Sequence, residues 1–168
     1  MAVNYLEQLI AEWYEYQGYF VRRNVPVAKR PKGGYDCELD IVAYHPVQKR
    51  LVHLEPSMDA DSWATREKRY RKKFEMGRKY IPTIFEGFDL PDKVEQIAVL
   101  VFASKRNHQR LGGGKLILVD ELLEEIFTYL KAKELASSAV PEHLSILRSF
   151  QFVTEYKSII MKVWQEAT

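Results

Sequence analysis

Two short runs with alternating apolar residues, 38–44 and 50–56, are only a few residues apart and constrain the fold more than any other part of the sequence. Runs of this kind, joined by a loop over 46–49, predict a β-hairpin. One face of the hairpin is then built from apolar pairs that fall opposite each other: Leu39–Pro56, Ile41–Leu54 and Ala43–Val52. We expect that face to lie in the core of the protein.

The opposite face of the predicted hairpin places Asp40 directly across from Glu55. Opposed residues have Cβ atoms about 4.5–5.5 Å apart, and like charges placed there are destabilising. Mg²⁺ relieves such repulsion, since it takes one or two protein carboxylates and completes its octahedron with water and phosphate oxygens. In a second interpretation the two acids pair with Lys or Arg on an exposed surface. A slip of one residue would separate them, and Asp36 is then the fallback ligand.

The rest of the chain predicts helices and strands in alternation. Helices are expected at 4–17, 62–79, 120–133 and 142–165, further strands at 19–25, 97–103 and 115–119, and a hairpin tip at glycines 112–114. Pro141 suits the first turn of the last helix. This order predicts an α/β fold with a mixed central β-sheet flanked by helices. The 168 residues suit a single domain, with a core of about 1–134 and a C-terminal helical extension of about 138–166.

Composition excludes several classes of protein. The single cysteine, Cys37, rules out an internal disulfide and a zinc site built on several cysteines. No apolar run approaches the length of about 20 residues that a membrane span needs. The acidic Glu7 comes too early for a secretory leader. We therefore expect a cytoplasmic protein.

Local clusters of basic residues have to carry any argument for nucleic-acid binding, because the net charge is only +2. Residues 66–79 hold eight cations and two acids, and Tyr70 and Phe74 take the buried stripe, which leaves the cations on solvent-facing sides. Further clusters lie at 22–32 and 105–110. A helix of this kind can follow a phosphate backbone. The predicted DNA contacts are Arg66, Lys68, Arg69, Lys72, Lys73, Lys29, Arg30 and Lys32.

The hairpin sequences resemble a known family motif. Residues 38–43 read Glu-Leu-Asp-Ile-Val-Ala and residues 51–57 read Leu-Val-His-Leu-Glu-Pro-Ser. This is similar to the core of the PD-(D/E)xK nuclease superfamily, in its Mrr-like and Holliday-junction-resolvase-like branches. The first predicted helix and segment 115–123 resemble the first helix and the late strand and helix of those branches. The resemblance covers most of residues 1–130.

The resemblance implies a restriction-endonuclease-like fold and a metal-dependent reaction on DNA. Carried over by position, Glu7, Asp40 and Glu55 would bind Mg²⁺ or Mn²⁺, with Glu38 as an accessory acid. The sequence departs from the motif at its lysine, where Ser57 stands two residues after Glu55. A serine can hydrogen-bond a water molecule but supplies no positive charge. Candidate substitutes on the following helix are Lys68, Lys72 and Lys73, and the sequence does not choose among them.

The sequence thus predicts a Mg²⁺-dependent deoxyribonuclease in which Asp40, Glu55 and Glu7 bind metal and Ser57 places water. The alternative is a catalytically weakened or inactive module of the same fold that binds nucleic acid or a protein partner. A third hypothesis is an interaction protein that forms a homodimer through its C-terminal helix. His53 falls on the site face, where a structural role is favoured over acid–base chemistry.

Overall fold

The computed structural model describes residues 4–166 and has an α/β architecture, as predicted. Five helices and six strands are found in this part of the chain. Their order is α1 (Tyr5–Tyr16), β1 (Phe20–Lys29), β2 (Tyr35–His45), β3 (Arg50–Ser57), α2 (Trp63–Ile84), β4 (Glu95–Leu100), β5 (Arg110–Leu111), β6 (Gly114–Leu118), α3 (Val119–Leu130), α4 (Ser145–Glu155) and α5 (Lys157–Glu166). The chain divides into two compact units, Met1–Val119 and Asp120–Thr168.

All six strands belong to one mixed sheet in the first unit, with the order β1-β2-β3-β4-β6-β5. The pairs β1–β2, β2–β3 and β5–β6 are antiparallel, whereas the pairs β3–β4 and β4–β6 are parallel. Helix α2 makes the crossover between β3 and β4 that a parallel pair requires. The two-residue strand β5 was not predicted, but the glycine hairpin tip that joins it to β6 was, and it is confirmed.

The predicted register of the β2–β3 hairpin is confirmed over its paired part. The opposed residues are Ile41–Leu54, Val42–His53, Ala43–Val52 and Tyr44–Leu51. On the side of Asp40 the pairing ends at Ile41–Leu54. At the next position the backbone N–H of Asp40 donates to Oε1 of Glu55 at 3.3 Å. The carboxylate of Glu55 therefore takes a hydrogen bond at the point where the backbone ladder stops.

Helix α2 covers one face of the hairpin. Tyr44 and Leu51 belong to a hydrophobic cluster with Ile81 of α2 and with Phe85, the residue after the end of the helix, so the face that carries the acidic pair is core over this part of the hairpin. Leu39 is fully buried, as its predicted place in the core requires, and belongs to the same cluster.

The second unit departs from the prediction of one long final helix over 142–165. Helices α4 and α5 are separate and meet at Tyr156, where neither proline nor glycine lies. Pro141 precedes α4 rather than opening it, because its carbonyl accepts the N–H of Leu144 at 3.1 Å and closes a turn first. The described part of α5 buries no residue and exposes Trp164. The predicted homodimer contact there stays a prediction. No helix within residues 4–166 combines the length and apolar character that a membrane span requires.

Candidate active site

The structure brings two carboxylates and an ammonium group together at the end of the hairpin. Nζ of Lys73 lies 2.6 Å from Oδ1 of Asp40 and also contacts Oε2 of Glu55. The side chain of Glu55 is 1% exposed, whereas those of Asp40 and Lys73 are 15% and 24% exposed. The predicted juxtaposition of the two acids is therefore present, with a cation between them and partial access from solvent.

The pitch of α2 against β3 explains why Lys73 is the lysine that reaches the pair. Four residues of helix advance about 6.0 Å, and two residues of strand advance about 6.6 Å, so the two elements stay nearly in step. Each fourth residue of α2 consequently lies over each second residue of β3, and the two chains run in opposite directions. The contacts follow this pattern as Gly77–His53, Lys73–Glu55 and Arg69–Ser57.

Burial sets the charge behaviour of the pair. Burial, reinforced by the hydrogen bond and charge of Glu55, raises the pKa of Asp40 to about 7, while Lys73 opposes the rise. Burial also raises the pKa of Glu55. Burial would lower the pKa of Lys73, but the charges of Glu55 and Asp40 outweigh it and raise that pKa. The two carboxylates thus form a coupled pair that binds a cation or a proton near neutral pH.

A small cavity opens at the acidic pair and is the space available to a reactant. Its volume is about 170 Å³, room for a few water molecules at about 30 Å³ each. The residues that line it are Asp40, Glu55, Pro56, Ser57, Asp59, Arg69, Tyr70 and Lys73. Acidic, basic and hydroxyl groups therefore meet in one place, which suits a hydrated ion and an anionic substrate group.

Asp59 is a site residue that the sequence analysis missed. It accepts hydrogen bonds from the hydroxyl of Ser57, from Arg69 and, at 3.2 Å, from Arg66. Burial would raise the pKa of Asp59, but the hydrogen bonds from Ser57, the Asp61 N–H and the two arginines outweigh it and hold that pKa well below its usual range. Because the proton of Ser57 is directed at Asp59 and the oxygen already accepts the backbone N–H of Asp59 at 3.2 Å, the hydroxyl can offer a water molecule only its remaining lone pair.

His53 lies beneath Glu55 and is fully buried. Its Nε2 is 2.7 Å from Oε1 of Glu55. Burial and the charge of Lys73 lower the pKa of His53 to about 3, so the imidazole is neutral at pH 7. On the other side, Nε2 of Gln96 lies 3.3 Å from Nδ1 of His53. The predicted structural role fits this placement better than acid–base chemistry, because no solvent reaches the ring.

Glu7 lies apart from the hydrogen bonds of the acidic pair. It sits in the first turn of α1 and accepts from Nδ2 of Asn4 at 2.6 Å. Burial, followed by the charge of Asp40, raises its pKa, so it senses the pair electrostatically. Within residues 4–166, no three or more His, Cys, Asp or Glu side chains are grouped so that they could hold a metal ion. The predicted set of three acidic ligands therefore stays a prediction.

The backbone beside Asp40 is irregular on β1 as well. Arg23 pairs with Ile41 and Val25 pairs with Leu39, but Asn24, which lies between them, is not paired with Asp40. Asn24 has a φ of 50°, a left-handed conformation that asparagine tolerates better than most residues. Strained backbone tends to cluster at functional sites, and here it marks the strand position opposite Asp40.

The predicted DNA contacts on α2 fall into two groups. Arg66 is buried and donates to the carbonyls of Asp59 at 2.6 Å and Phe102 at 3.0 Å. The prediction that the cations of this helix all face solvent is therefore wrong for Arg66, whose guanidinium joins two loops instead. Arg69 is committed to Asp59 and Asp61.

Among the remaining predicted DNA contacts, Lys73 is part-buried and paired with Asp40 and Glu55, and the others are exposed. Lys68 and Lys72 lie on an open groove along α2, and three more cations lie at the β1–β2 turn: Lys29, Arg30 and Lys32. Arg30 is paired with Asp36 at 2.6 Å, and Glu38 is also exposed, away from the cavity lining. These cations form two basic surfaces that stay predicted contacts.

Comparison with known proteins provides no relative of this chain. No protein-family model matches it, and no match is found among curated proteins or solved structures. The class of molecule consequently has to be inferred from the chemistry of the cavity and its surroundings.

Proposed function

We propose that this protein is a Mg²⁺-dependent nuclease of restriction-endonuclease-like fold that hydrolyses phosphodiester bonds in DNA. The observation that carries the proposal is the position of Lys73, whose ammonium group contacts both Asp40 and Glu55. The PD-(D/E)xK motif has a lysine at the position where this chain has Ser57. Helix α2 supplies a lysine to the same two acids instead. The mixed sheet and the confirmed hairpin register agree with this fold.

The donor set of the cavity fits a magnesium ion. Oδ1 of Asp40 and Oε2 of Glu55 already converge on one cation, the ammonium group of Lys73. Mg²⁺ needs only one or two protein carboxylates, because water and phosphate oxygens complete its octahedron. Asp40 and Glu55 would hold the ion, and Glu7, whose pKa responds to the charge of Asp40, is the third ligand that the resemblance implies. When bound, the ion would supply a Lewis acid and an activated water at the phosphodiester.

The side chains around the acidic pair have separate tasks in this proposal. With a divalent cation held by the carboxylates, the ammonium group of Lys73 would remain beside them and would offset negative charge on the phosphate. Arg69 lies one helical turn away in the same cavity and can donate to a phosphate oxygen. Ser57 offers its remaining lone pair to the attacking water. Lys68 and Lys72 hold the DNA backbone along α2.

The test is cleavage of labelled duplex, single-stranded and branched DNA with Mg²⁺, Mn²⁺ or EDTA. We expect cleavage that requires the metal and that Asp40→Asn abolishes. Asp36→Asn is the matched control, since it makes the same change on the same strand at an exposed residue outside the cavity. Metal-dependent cleavage by Asp40→Asn at the wild-type rate would overturn the proposal.

A second candidate is a non-catalytic module that binds nucleic acid. The observation in its favour is that the ammonium group of Lys73 already lies between the two carboxylates and offsets part of their charge without a metal. This candidate predicts DNA binding that weakens with salt, ignores Mg²⁺ and survives Asp40→Asn. A mobility-shift assay beside the cleavage assay separates the two functions.

A further inference from the structure

The two oxygens of the Glu55 carboxylate have different partners. Oε1 faces the protein interior, where it lies 2.7 Å from Nε2 of His53 and 3.3 Å from the backbone nitrogen of Asp40. Oε2 faces the cavity and contacts Lys73. One oxygen is therefore hydrogen-bonded within the protein, and the other is directed at the position of the Lys73 ammonium group.

The orientation of His53 is fixed from the side opposite Glu55. Nε2 of Gln96 donates to the carbonyl of Phe74 at 2.8 Å and lies 3.3 Å from Nδ1 of His53. Arg78 in turn donates to Oε1 of Gln96 at 2.6 Å, which settles which end of the amide carries the nitrogen. Because the amide presents a donor, Nδ1 of His53 must accept, and the ring proton resides on Nε2.

Packing prevents the ring from turning away. The ring lies edge-on to Phe74 with centroids 5.3 Å apart. On α2, a Cβ at Gly77 would lie 2.6 Å from Cε1 of His53, so only glycine leaves room for the imidazole. The ring is neutral because Nδ1 accepts from Gln96, and a charged imidazole would place a second N–H against that amide nitrogen. A neutral N–H donor is thus held against Oε1 of Glu55 by three neighbouring residues, Gln96, Phe74 and Gly77.

We propose that His53 is a positioning residue that restricts Glu55 to binding a cation through Oε2 alone, and thereby makes the site select Mg²⁺ over Ca²⁺. This inference rests on the proposed metal site. Ca²⁺ takes about six to eight oxygens and often binds both oxygens of a carboxylate, whereas Mg²⁺ takes about six in a compact octahedron. A carboxylate with one oxygen occupied by the protein therefore suits the smaller ion.

The experiment is calorimetric titration of the whole protein with Mg²⁺ and Ca²⁺, for wild type, His53→Phe and His53→Gln. Phenylalanine keeps the ring but removes the donor, and the amide nitrogen of glutamine can reach the place of Nε2. Loss of a partner that orients a metal ligand typically lowers metal affinity by about 10–100-fold. We expect the Mg²⁺/Ca²⁺ affinity ratio to fall about tenfold or more in His53→Phe and to return in His53→Gln.

A measurement on the wild type covers the case in which His53→Phe does not fold. The imidazole ¹⁵N resonances of His53 should show the ring proton on Nε2 and not on Nδ1. A proton at Nδ1 instead overturns the proposal, because Glu55 would then receive no hydrogen bond from His53. An unchanged Mg²⁺/Ca²⁺ ratio in folded His53→Phe overturns it too, while cleavage by wild type leaves the proposed function standing. If wild type binds neither ion and cuts no DNA, the proposed function falls first, and this inference with it.

Discussion

Nζ of Lys73 lies 2.6 Å from Oδ1 of Asp40, although 33 positions of sequence separate the two residues. The contact joins the middle of α2 to the point where the β2–β3 ladder ends, and Glu55 completes it from the third strand. A cation therefore sits between two acids whose burial would otherwise keep at least one of them protonated.

Replacing Lys73 by methionine tests what this contact does. In the proposed site the ammonium group would compete with a divalent cation for the carboxylates, so Lys73→Met should bind Mn²⁺ more tightly than wild type. In the proposed reaction the same group would stabilise charge during cleavage, and its loss should lower the rate by about 10²–10³-fold. Single-turnover cleavage and a Mn²⁺ titration measure the two effects, which go in opposite directions.

Lys72→Met is the matched control for that variant. Lys72 is the neighbouring residue and exposed, so its loss should weaken DNA binding while the single-turnover rate at saturating DNA changes by less than about threefold. If Lys73→Met cut DNA as fast as Lys72→Met, the hypothesis that Lys73 takes the role of the motif lysine would be refuted.

Asp40→Asn should be more stable than wild type in alkaline solution. The pKa of Asp40 is about 7 in the folded protein against an ordinary value of 3.8. Between these values the folded state binds more protons than the unfolded state, so wild type loses stability as pH rises from 3.8 and has lost it fully above 7. Asparagine does not titrate, so the variant does not undergo this loss.

Urea unfolding at pH 4 and pH 8 measures the difference. We expect Asp40→Asn to match wild type at pH 4 and to exceed its free energy of unfolding by on the order of 1–3 kcal/mol at pH 8. Asp36→Asn, at an exposed carboxylate, should show no such gain. An Asp40→Asn variant less stable than wild type at pH 8 would contradict the burial argument.

The hairpin could be predicted from the sequence because its information is local. The alternation of apolar residues around Ile41 and Leu54, together with a short loop, leaves one register that keeps those residues inside. Leu39 and Ile41 are both fully buried, as the pattern predicted. The left-handed backbone of Asn24, at the β1 position opposite Asp40, was not predicted, because nothing in the local pattern indicates it.

The choice of lysine depends on how α2 is rotated over the sheet, which is not local information. The predicted stripe of Tyr70 and Phe74 gave the buried side of the helix correctly. Lys73 lies next to Phe74 on that helix, whereas Lys68 and Lys72 are exposed. The signal that fixes the rotation is the glycine at 77, whose missing side chain admits His53, and it can be read only once the pairing partner is known.

Arg66 and Lys68 should respond differently to replacement by alanine, although both belong to the basic helix. Arg66 is buried and bonds to Asp59 and Phe102, so Arg66→Ala should lower stability by about 3 kcal/mol. Lys68 is exposed, so Lys68→Ala should leave stability within about 0.5 kcal/mol. Lys68→Ala should also lower the slope of log affinity for DNA against log salt concentration by about one, because one phosphate contact is lost. A surface role for Arg66 would be indicated if its alanine variant kept full stability and lost DNA affinity.

Gly77→Ala should destabilise the protein, against the usual effect of this change in a helix. Alanine is favoured over glycine inside helices by about 0.5–1 kcal/mol, but here the added Cβ would lie 2.6 Å from Cε1 of His53. Overpacking of that kind costs about 1–3 kcal/mol, so the net effect should be a lower melting temperature. Glu75→Ala, at an exposed position of the same helix, is the control and should change it little.

The double variant Gly77→Ala, His53→Ala decides whether the clash is the cause. Removing the imidazole makes room for the new methyl group, so Gly77→Ala should do much less damage in the His53→Ala background than in wild type. In thermal unfolding, the double variant should therefore be clearly more stable than the sum of the two single losses predicts. Equal losses of stability in both backgrounds would mean that position 77 of α2 does not contact His53. That contact would then not be what fixes the rotation of the helix that places Lys73 beside Asp40.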